Sequence, residues 1–396
     1  MRTALLDLEE LGFPAGAHML VAKALRDLRP DHRLQVVGAD PALGVHLRGW
    51  CRKQGHSFEE HPDRGWLVTR SRAEAQRWSG ATRAGNSGPD GVVQRPPAQW
   101  GLAARGALLE EGGPIRTPFD LDDRDVVWAD LAPRLYANAA SSQWNPDAAV
   151  DWKIPDDLPA DIEAAVVQVM TFLVENEQAA LVIPARLLAR VHPHFREVQQ
   201  LLAVQAADEA RHMEVFTRRA LLHGGQMGTS SAAGRESLNT LLSEADFSLA
   251  SFLLSVLGEG SFLSLLTFLD THAPDPVTRR ITRLARTDEA RHVAFGVAHL
   301  EHQSQVDPGL RSRLRAAVER RHEALVDNAG LNADVFDALV LLAAGGWSPA
   351  EIARGHAAVD RLYHAMDQGR QQRLVRLGFS DDEAAAVSAL HTRNFM

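Results

Sequence analysis

Two identical pentapeptides carry the chemistry of this chain. Asp208-Glu209-Ala210-Arg211-His212 recurs letter for letter as Asp288-Glu289-Ala290-Arg291-His292. Residues three apart share a helix face, so Glu209 points with His212 and Glu289 with His292. Each face offers one carboxylate and one imidazole, a donor set that suits iron or manganese. Upstream of each copy, inside an apolar run, stands one more glutamate. Glu177 precedes Glu209 by 32 residues and Glu259 precedes Glu289 by 30. At about 1.5 Å of rise per residue, that distance is one helix down, a short turn and one helix back. A lone carboxylate in the apolar stretch from Phe252 to Leu269 would be costly unless paired or metal-bound.

A two-metal site in a bundle core needs these parts: a Glu from each of two helices and Glu-x-x-His from each of the other two. The candidate metal ligands are therefore Glu177, Glu209, His212, Glu259, Glu289 and His292, with the four glutamates the candidate catalytic groups. On the first helix Glu175 competes with Glu177, since the two differ by about 200° in helical azimuth and only one can face inward. Glu177 is favoured by its apolar neighbours Ala180, Leu181 and Pro184. Asp208 and Asp288, four residues before their histidines, are placed to hydrogen-bond the ring nitrogen that faces away from a metal. Arg211 and Arg291 are placed to neutralise those aspartates.

The elements that must position these groups are helices. The spacing predicts helices over about 157–191, 194–223, 238–271 and 277–303, with Pro184 kinking the first. Further helices are expected over 310–328, 333–344, 349–369 and 381–390, and no strand pattern follows residue 126. Before it, residues 1–72 read β-α-β-α-β-β, a small two-layer α/β domain. Residues 73–125, rich in Gly, Pro and Arg, read as a linker. The expected fold is multidomain: this α/β domain, then an all-α four-helix bundle over 126–396 with extra C-terminal helices.

Composition narrows the class. The 396 residues carry a net charge of −9, concentrated after residue 110, which argues against a nucleic-acid partner. The single cysteine, Cys51, excludes an internal disulfide and a multi-thiolate metal site. No basic-then-apolar leader opens the chain, and the most apolar run, 247–269, contains Glu259. These features lead to the expectation of a cytoplasmic protein without a membrane partner.

The motif set, over about residues 126–305, resembles the ferritin-like, ribonucleotide-reductase-like di-iron carboxylate superfamily, closest in style to the hydroxylase subunits of bacterial di-iron monooxygenases. The resemblance implies two iron ions, or a mixed Mn/Fe pair, that activate dioxygen. It places Glu177, Glu209 and His212 on one ion and Glu259, Glu289 and His292 on the other, with Glu209 and Glu289 as bridges. It further implies a small organic substrate, an electron donor such as ferredoxin with its reductase, and allows a homodimer. Only Tyr136 and Tyr363 are present, off the metal-bearing helices, which argues against a tyrosyl-radical subunit. Ala285 stands where related arylamine N-oxygenases carry an extra histidine. Phe172, Phe216, Phe252, Phe262 and Phe295 are candidates for an apolar pocket around the site. The expected activity is thus a monooxygenase-type oxidation: hydroxylation, N-oxygenation or desaturation. Iron or peroxide handling is the alternative within metal chemistry.

Residues 1–72 resemble the TusA-like (SirA-like) sulfur-carrier family through Leu6 to Gly12, Pro14, Asp40-Pro41 and Gly49-Trp50-Cys51. The family's sulfur-carrying cysteine is replaced here by Phe13, which cannot hold a persulfide. The resemblance therefore implies docking rather than sulfur transfer, and a scaffold in sulfur trafficking is the alternative outside enzymology.

Overall fold

The computed structural model describes residues 3–62, 65–112, 118–153, 158–325 and 333–391. The chain divides into two compact units, Met1–Gly91 with Ala103–Ile115, and Val92–Leu102 with Arg116–Met396.

In the first unit, β1 (Thr3–Asp7), α1 (Ala17–Arg26), β2 (Arg33–Val37), α2 (Leu43–Gln54), β3 (Ser57–His61) and β4 (Gly65–Thr69) follow the expected order. The sheet runs β1-β2-β4-β3, with β1 parallel to β2 and the other pairs antiparallel. Period-four spacing explains why the helices pack on it. Ala17, Val21 and Leu25 on α1, and Leu43, Leu47 and Cys51 on α2, are buried against Leu34, Val36 and Val68. Phe13 lies within ring-contact range of His18, His46 and Trp50, at 6.2, 6.2 and 6.4 Å between centroids. Cys51 is fully buried, and burial pushes its thiol up to about 12. Alkylation of Cys51 in the folded protein is accordingly expected to be slow at neutral pH and to become fast in denaturant. Rapid labelling of the native chain would contradict the burial argument.

The stretch read as a linker is divided between the units. α3 (Ala73–Arg77) and the pair β5 (Thr82–Arg83) and β6 (Leu108–Leu109) belong to the first, where Ala84 is buried. Residues 92–102 belong to the second. There the Val93 amide donates to His194 Nε2 at 3.0 Å, and Arg95 pairs with Asp123 at 2.6 Å. Trp100 lies 5.1 Å from the His194 ring. The glycines and prolines make turns between short ordered pieces, which composition alone does not distinguish from a flexible tether.

The second unit opens with α4 (Arg124–Val127), α5 (Ala132–Ser141) and α6 (Pro146–Ala149). The long hairpin α7 (Ala160–Leu188) and α8 (Arg196–Ala220) follows, then α9 (Ala232–Leu242) and α10 (Phe247–Ser251). After α10 the chain winds with i→i+5 hydrogen bonding over Phe252–Glu259 before α11 (Gly260–His272) resumes the α pattern. α12 (Pro276–Val306), α13 (Leu310–Leu325), α14 (Ala333–Ala344), α15 (Pro349–Arg376) and α16 (Asp381–Leu390) complete the unit. No strand occurs among its described residues. The predicted ends at 157 and 328 lie outside the described residues.

The third predicted helix needs correction. The expected 238–271 span is three helical pieces and a π-wound stretch, because Ser231 caps α9 through the Gly234 amide and Asp246 caps α10 through the Leu249 amide. A new capping residue marks a new helix start, and the continuous apolar run concealed it. α15 runs on through Gly369 to Arg376. α7 likewise runs four residues past Pro184. Two stretches, Ala160–Leu188 and Phe247–His272, are long and apolar enough to cross a bilayer by composition. Their most apolar windows are 61% and 83% buried inside the unit, so this hydrophobicity faces the core.

Candidate metal centre

The six predicted ligands converge. Glu177 projects from the middle of α7, Glu209 and His212 from α8, Glu259 from the end of the π-wound stretch, and Glu289 and His292 from α12. All six are buried, none more than 2% exposed. Donor atoms of Glu177, Glu209, His212 and Glu289 lie within 4.8 Å of one another, and so do those of Glu209, Glu259, Glu289 and His292. Glu209 and Glu289 belong to both groups. Glu175 is not in either; it lines cavities on the outer side of α7.

The shared carboxylates straddle the two imidazoles. Glu209 Oε2 is 3.1 Å from His212 Nδ1, and its Oε1 is 3.0 Å from His292 Nδ1. Glu289 mirrors this, with Oε1 3.5 Å from His212 Nδ1 and Oε2 3.3 Å from His292 Nδ1. Glu177 Oε2 closes one end at 3.6 Å from His212 Nδ1. At the other end, Glu259 Oε1 accepts a 3.0 Å hydrogen bond from Gln205 Nε2. Gln205 is four residues before Glu209, and the matching position before Glu289 is Ala285. The two half-sites therefore differ at this point.

The aspartates do serve the imidazoles, but across the repeat rather than within it. His212 Nε2 lies 3.2 Å from Asp288, and His292 Nε2 lies 3.3 Å from Asp208. The expectation that each aspartate serves the histidine of its own pentapeptide is corrected. The side chain of a residue four before a histidine lies beside the turn below, whereas the facing helix brings its aspartate up to the distal nitrogen. The arginines bind as expected, Arg211 to Asp208 and Arg291 to Asp288, and also reach the opposite acids at 3.2 and 3.3 Å. Sequence reasoning missed two residues from the connection between α5 and α6. Gln143 donates to Asp208 at 2.8 Å, and Trp144 Nε1 donates to Asp288 at 2.8 Å. The Trp144 ring also stacks on His212 and under the Arg211 guanidinium, with centroid distances of 6.5 and 4.7 Å.

The residues present fit a pair of divalent cations. Four carboxylates and two neutral imidazoles carry a charge that balances two such ions. Glu177 Oε1 and Glu259 Oε2 are buried without a hydrogen-bond donor among the described residues, a costly state that coordination would relieve. Burial, then the charges of Glu209 and Glu289, pushes the Glu177 carboxyl well above its ordinary range. Burial and the Glu289 charge do the same to Glu259. Burial would lower both histidines, but facing carboxylates raise them well above the usual value. Burial opposes ionisation of Glu209, Asp208 and Asp288, yet the histidines hold all three below the usual carboxylate range.

These shifts give metal removal a pH signature. The raised acids and imidazoles stabilise the metal-free fold fully below their unfolded values, about 4.3 and 6.5, and lose that contribution as pH rises. The lowered acids act oppositely and lose theirs only as pH falls well below 4. The chelated protein should therefore lose melting temperature as pH rises above about 4.3, and further above about 6.5. The metal-loaded protein should not, because coordination displaces those protons. Parallel melting profiles with and without chelator would contradict this.

The five phenylalanines are buried core, with Phe172 and Phe262 packed 6.1 Å apart and Phe172 also bordering a cavity beside Glu175. A cavity of about 540 Å³ lies between α7 and α9, lined by Leu181, Val182, Met213, Leu238 and Leu242 with Glu175 and Arg235 among them.

No family model matches the chain and no curated protein matches it. The sulfur-carrier resemblance of residues 1–72 thus has no support beyond its own motifs. Among solved structures, an R2-like ligand-binding oxidase with an aerobically reconstituted metal cofactor after photoconversion aligns at TM-score 0.49 and 19% identity. That alignment covers 62% of this chain and 94% of the other. The same kind of oxidase with an aerobically reconstituted Mn/Fe cofactor, from a long soak, aligns at TM-score 0.48 and 20% identity, covering 64% and 94%. The buried carboxylate–imidazole cluster of the present chain is able to hold a dimetal cofactor.

Proposed function

We propose that this protein is an oxygen-activating non-heme dimetal oxidase or oxygenase, with two irons or a mixed Mn/Fe pair, acting on a small organic substrate. One observation carries the reading: Glu209 and Glu289 each direct one oxygen toward each of two buried imidazoles. Glu177 and Glu259 close the ends. Bound there, the metal pair would supply the redox equivalents for dioxygen reduction. The chain's own groups perform the rest. Asp288 and Asp208 fix the imidazoles with Nδ1 inward, and Arg211 and Arg291 hold those acids in place. The phenylalanine-rich core around the cluster excludes bulk water. The half-buried Trp144, hydrogen-bonded to Asp288 and stacked on His212, joins the solvent side to the cluster and suits electron entry from a ferredoxin-type donor.

The test is metal analysis followed by oxygen uptake. The reading expects about two irons, or one manganese and one iron, per chain, and oxygen consumption that needs both an electron donor and an organic substrate. Oxidation of Fe(II) in large excess without substrate would favour iron handling instead. A chain that takes up no transition metal would overturn both.

A further inference from the structure

The stretch that delivers Glu259 is wound differently from the other three ligand-bearing segments, and that winding leaves a carbonyl without a backbone partner. Over Phe252–Glu259 the hydrogen bonds run i→i+5, and the Gly260 amide still reaches back to the Ser255 carbonyl. From Gly260 onward the chain is α-helical, the pattern in which the amide at 261 faces the Leu257 carbonyl. Wherever i→i+5 bonding gives way to i→i+4, one carbonyl is passed over. Here it is that of Val256, three residues before Glu259. A buried carbonyl needs a donor from elsewhere.

The donor comes from α15. Arg373 Nε donates to Val256 O at 2.7 Å. One turn earlier, Arg370 Nη1 donates to Ser261 Oγ at 3.3 Å, while that hydroxyl donates to Leu257 O at 2.7 Å. The space is made for this guanidinium. A Cβ on Gly260 would stand 2.4 Å from both Arg373 Cζ and Nε. Arg373 is held there against a desolvation penalty: burial pushes it down to about 10, and its Nη2 is buried without a hydrogen-bond partner among the described residues. A long cationic side chain is not retained in such a place by solvation.

We propose that Arg373, seated over Gly260, is a positioning residue for the metal centre: it satisfies the Val256 carbonyl, holds the π-wound stretch in its winding and thereby aims Glu259 at the second metal. The C-terminal helices, which contribute none of the six ligands, would then set the geometry of one half-site only. The inference rests on the dimetal reading above for its metal readout, and on the winding alone for its second readout.

The experiment compares Arg373→Met, Arg373→Lys, Gly260→Ala and the double variant Gly260→Ala/Arg373→Met in the full chain. Mn(II) is titrated anaerobically and followed by electron paramagnetic resonance. Arg373→Met should weaken the second equivalent about 10- to 100-fold, as loss of a group supporting a ligand does, and leave the first within about threefold. In metal-free protein, amide exchange across 252–261 should speed up about tenfold, without a matching change in α7 or α8. Gly260→Ala, which displaces the same guanidinium, should reproduce both effects. The double variant should be no worse than either single, because both remove one contact. Arg373→Lys, which restores a donor, should recover part of the loss, whereas a purely packing role would leave Lys no better than Met. Unchanged exchange and two wild-type Mn(II) affinities in Arg373→Met, or additive losses in the double variant, would overturn the proposal. If Arg373→Met does not fold, Gly260→Ala decides alone. Failure of the wild-type chain to bind Mn(II) would sink the dimetal reading, while the exchange data would still decide the role of Arg373.

Discussion

Replacing Glu209 with alanine is expected to remove both metal ions while the helices stay folded. Glu209 is one of two side chains whose oxygens face both imidazoles, so its loss opens both half-sites at once. Residues that merely support a ligand cost about 10- to 100-fold in affinity. Loss of a shared ligand should exceed that and take bound metal from about two per chain to a fraction of one. Glu289→Ala should do the same, because Glu289 has the mirrored geometry. Glu177→Ala opens one end only and should spare part of the binding. The helical signal should be retained in all three, since the cores of α7, α8 and α12 are apolar and independent of the cluster. Retention of two tightly bound ions in Glu209→Ala would remove the basis of the functional reading.

Arg219 gives the second large effect, this one on stability. Its side chain is fully buried at the far end of α8 and is held by Glu163 of α7 at 2.7 and 2.8 Å. Asp275, which caps α12, accepts from it at 2.9 Å, and Thr278 Oγ1 at 2.9 Å. Asp275 is itself buried and takes the Thr278 amide at 2.7 Å. Removing one partner of a buried ion network leaves the others charged and desolvated, at a cost of about 3–5 kcal/mol. Arg219→Met should therefore lower the urea-unfolding free energy by about that much while leaving metal stoichiometry intact in the folded fraction. A loss below about 1 kcal/mol would mean that Glu163 and Asp275 find water or protons more easily than their burial implies.

Much of the site was legible in the sequence because helical geometry is local. The identical pentapeptides and the hairpin-length offsets to Glu177 and Glu259 place the six groups on four segments, and burial selects Glu177 over Glu175. Three features were not legible. The crossing of Asp208 to His292 and Asp288 to His212 depends on how two helices face each other, which spacing within one helix cannot express. Gln143 and Trp144 come from the connection between α5 and α6, which has no motif of its own. The π winding before Glu259 is hidden in an unbroken apolar run, although Gly258 and Gly260 on either side of the glutamate are a faint signal of it. In the first unit the expected β-α-β-α-β-β order is the order observed, because alternation and period-four spacing are local signals. Within 73–125 the short ordered pieces are hard to read from composition, because glycine and proline mark tight turns as well as loose chain.

The crossed aspartates tie the fates of the two repeats together. An altered acid in one copy releases the imidazole of its twin, because Asp288 faces His212 and Asp208 faces His292. The two identical five-letter stretches thus form a single interlocked device rather than two separable halves.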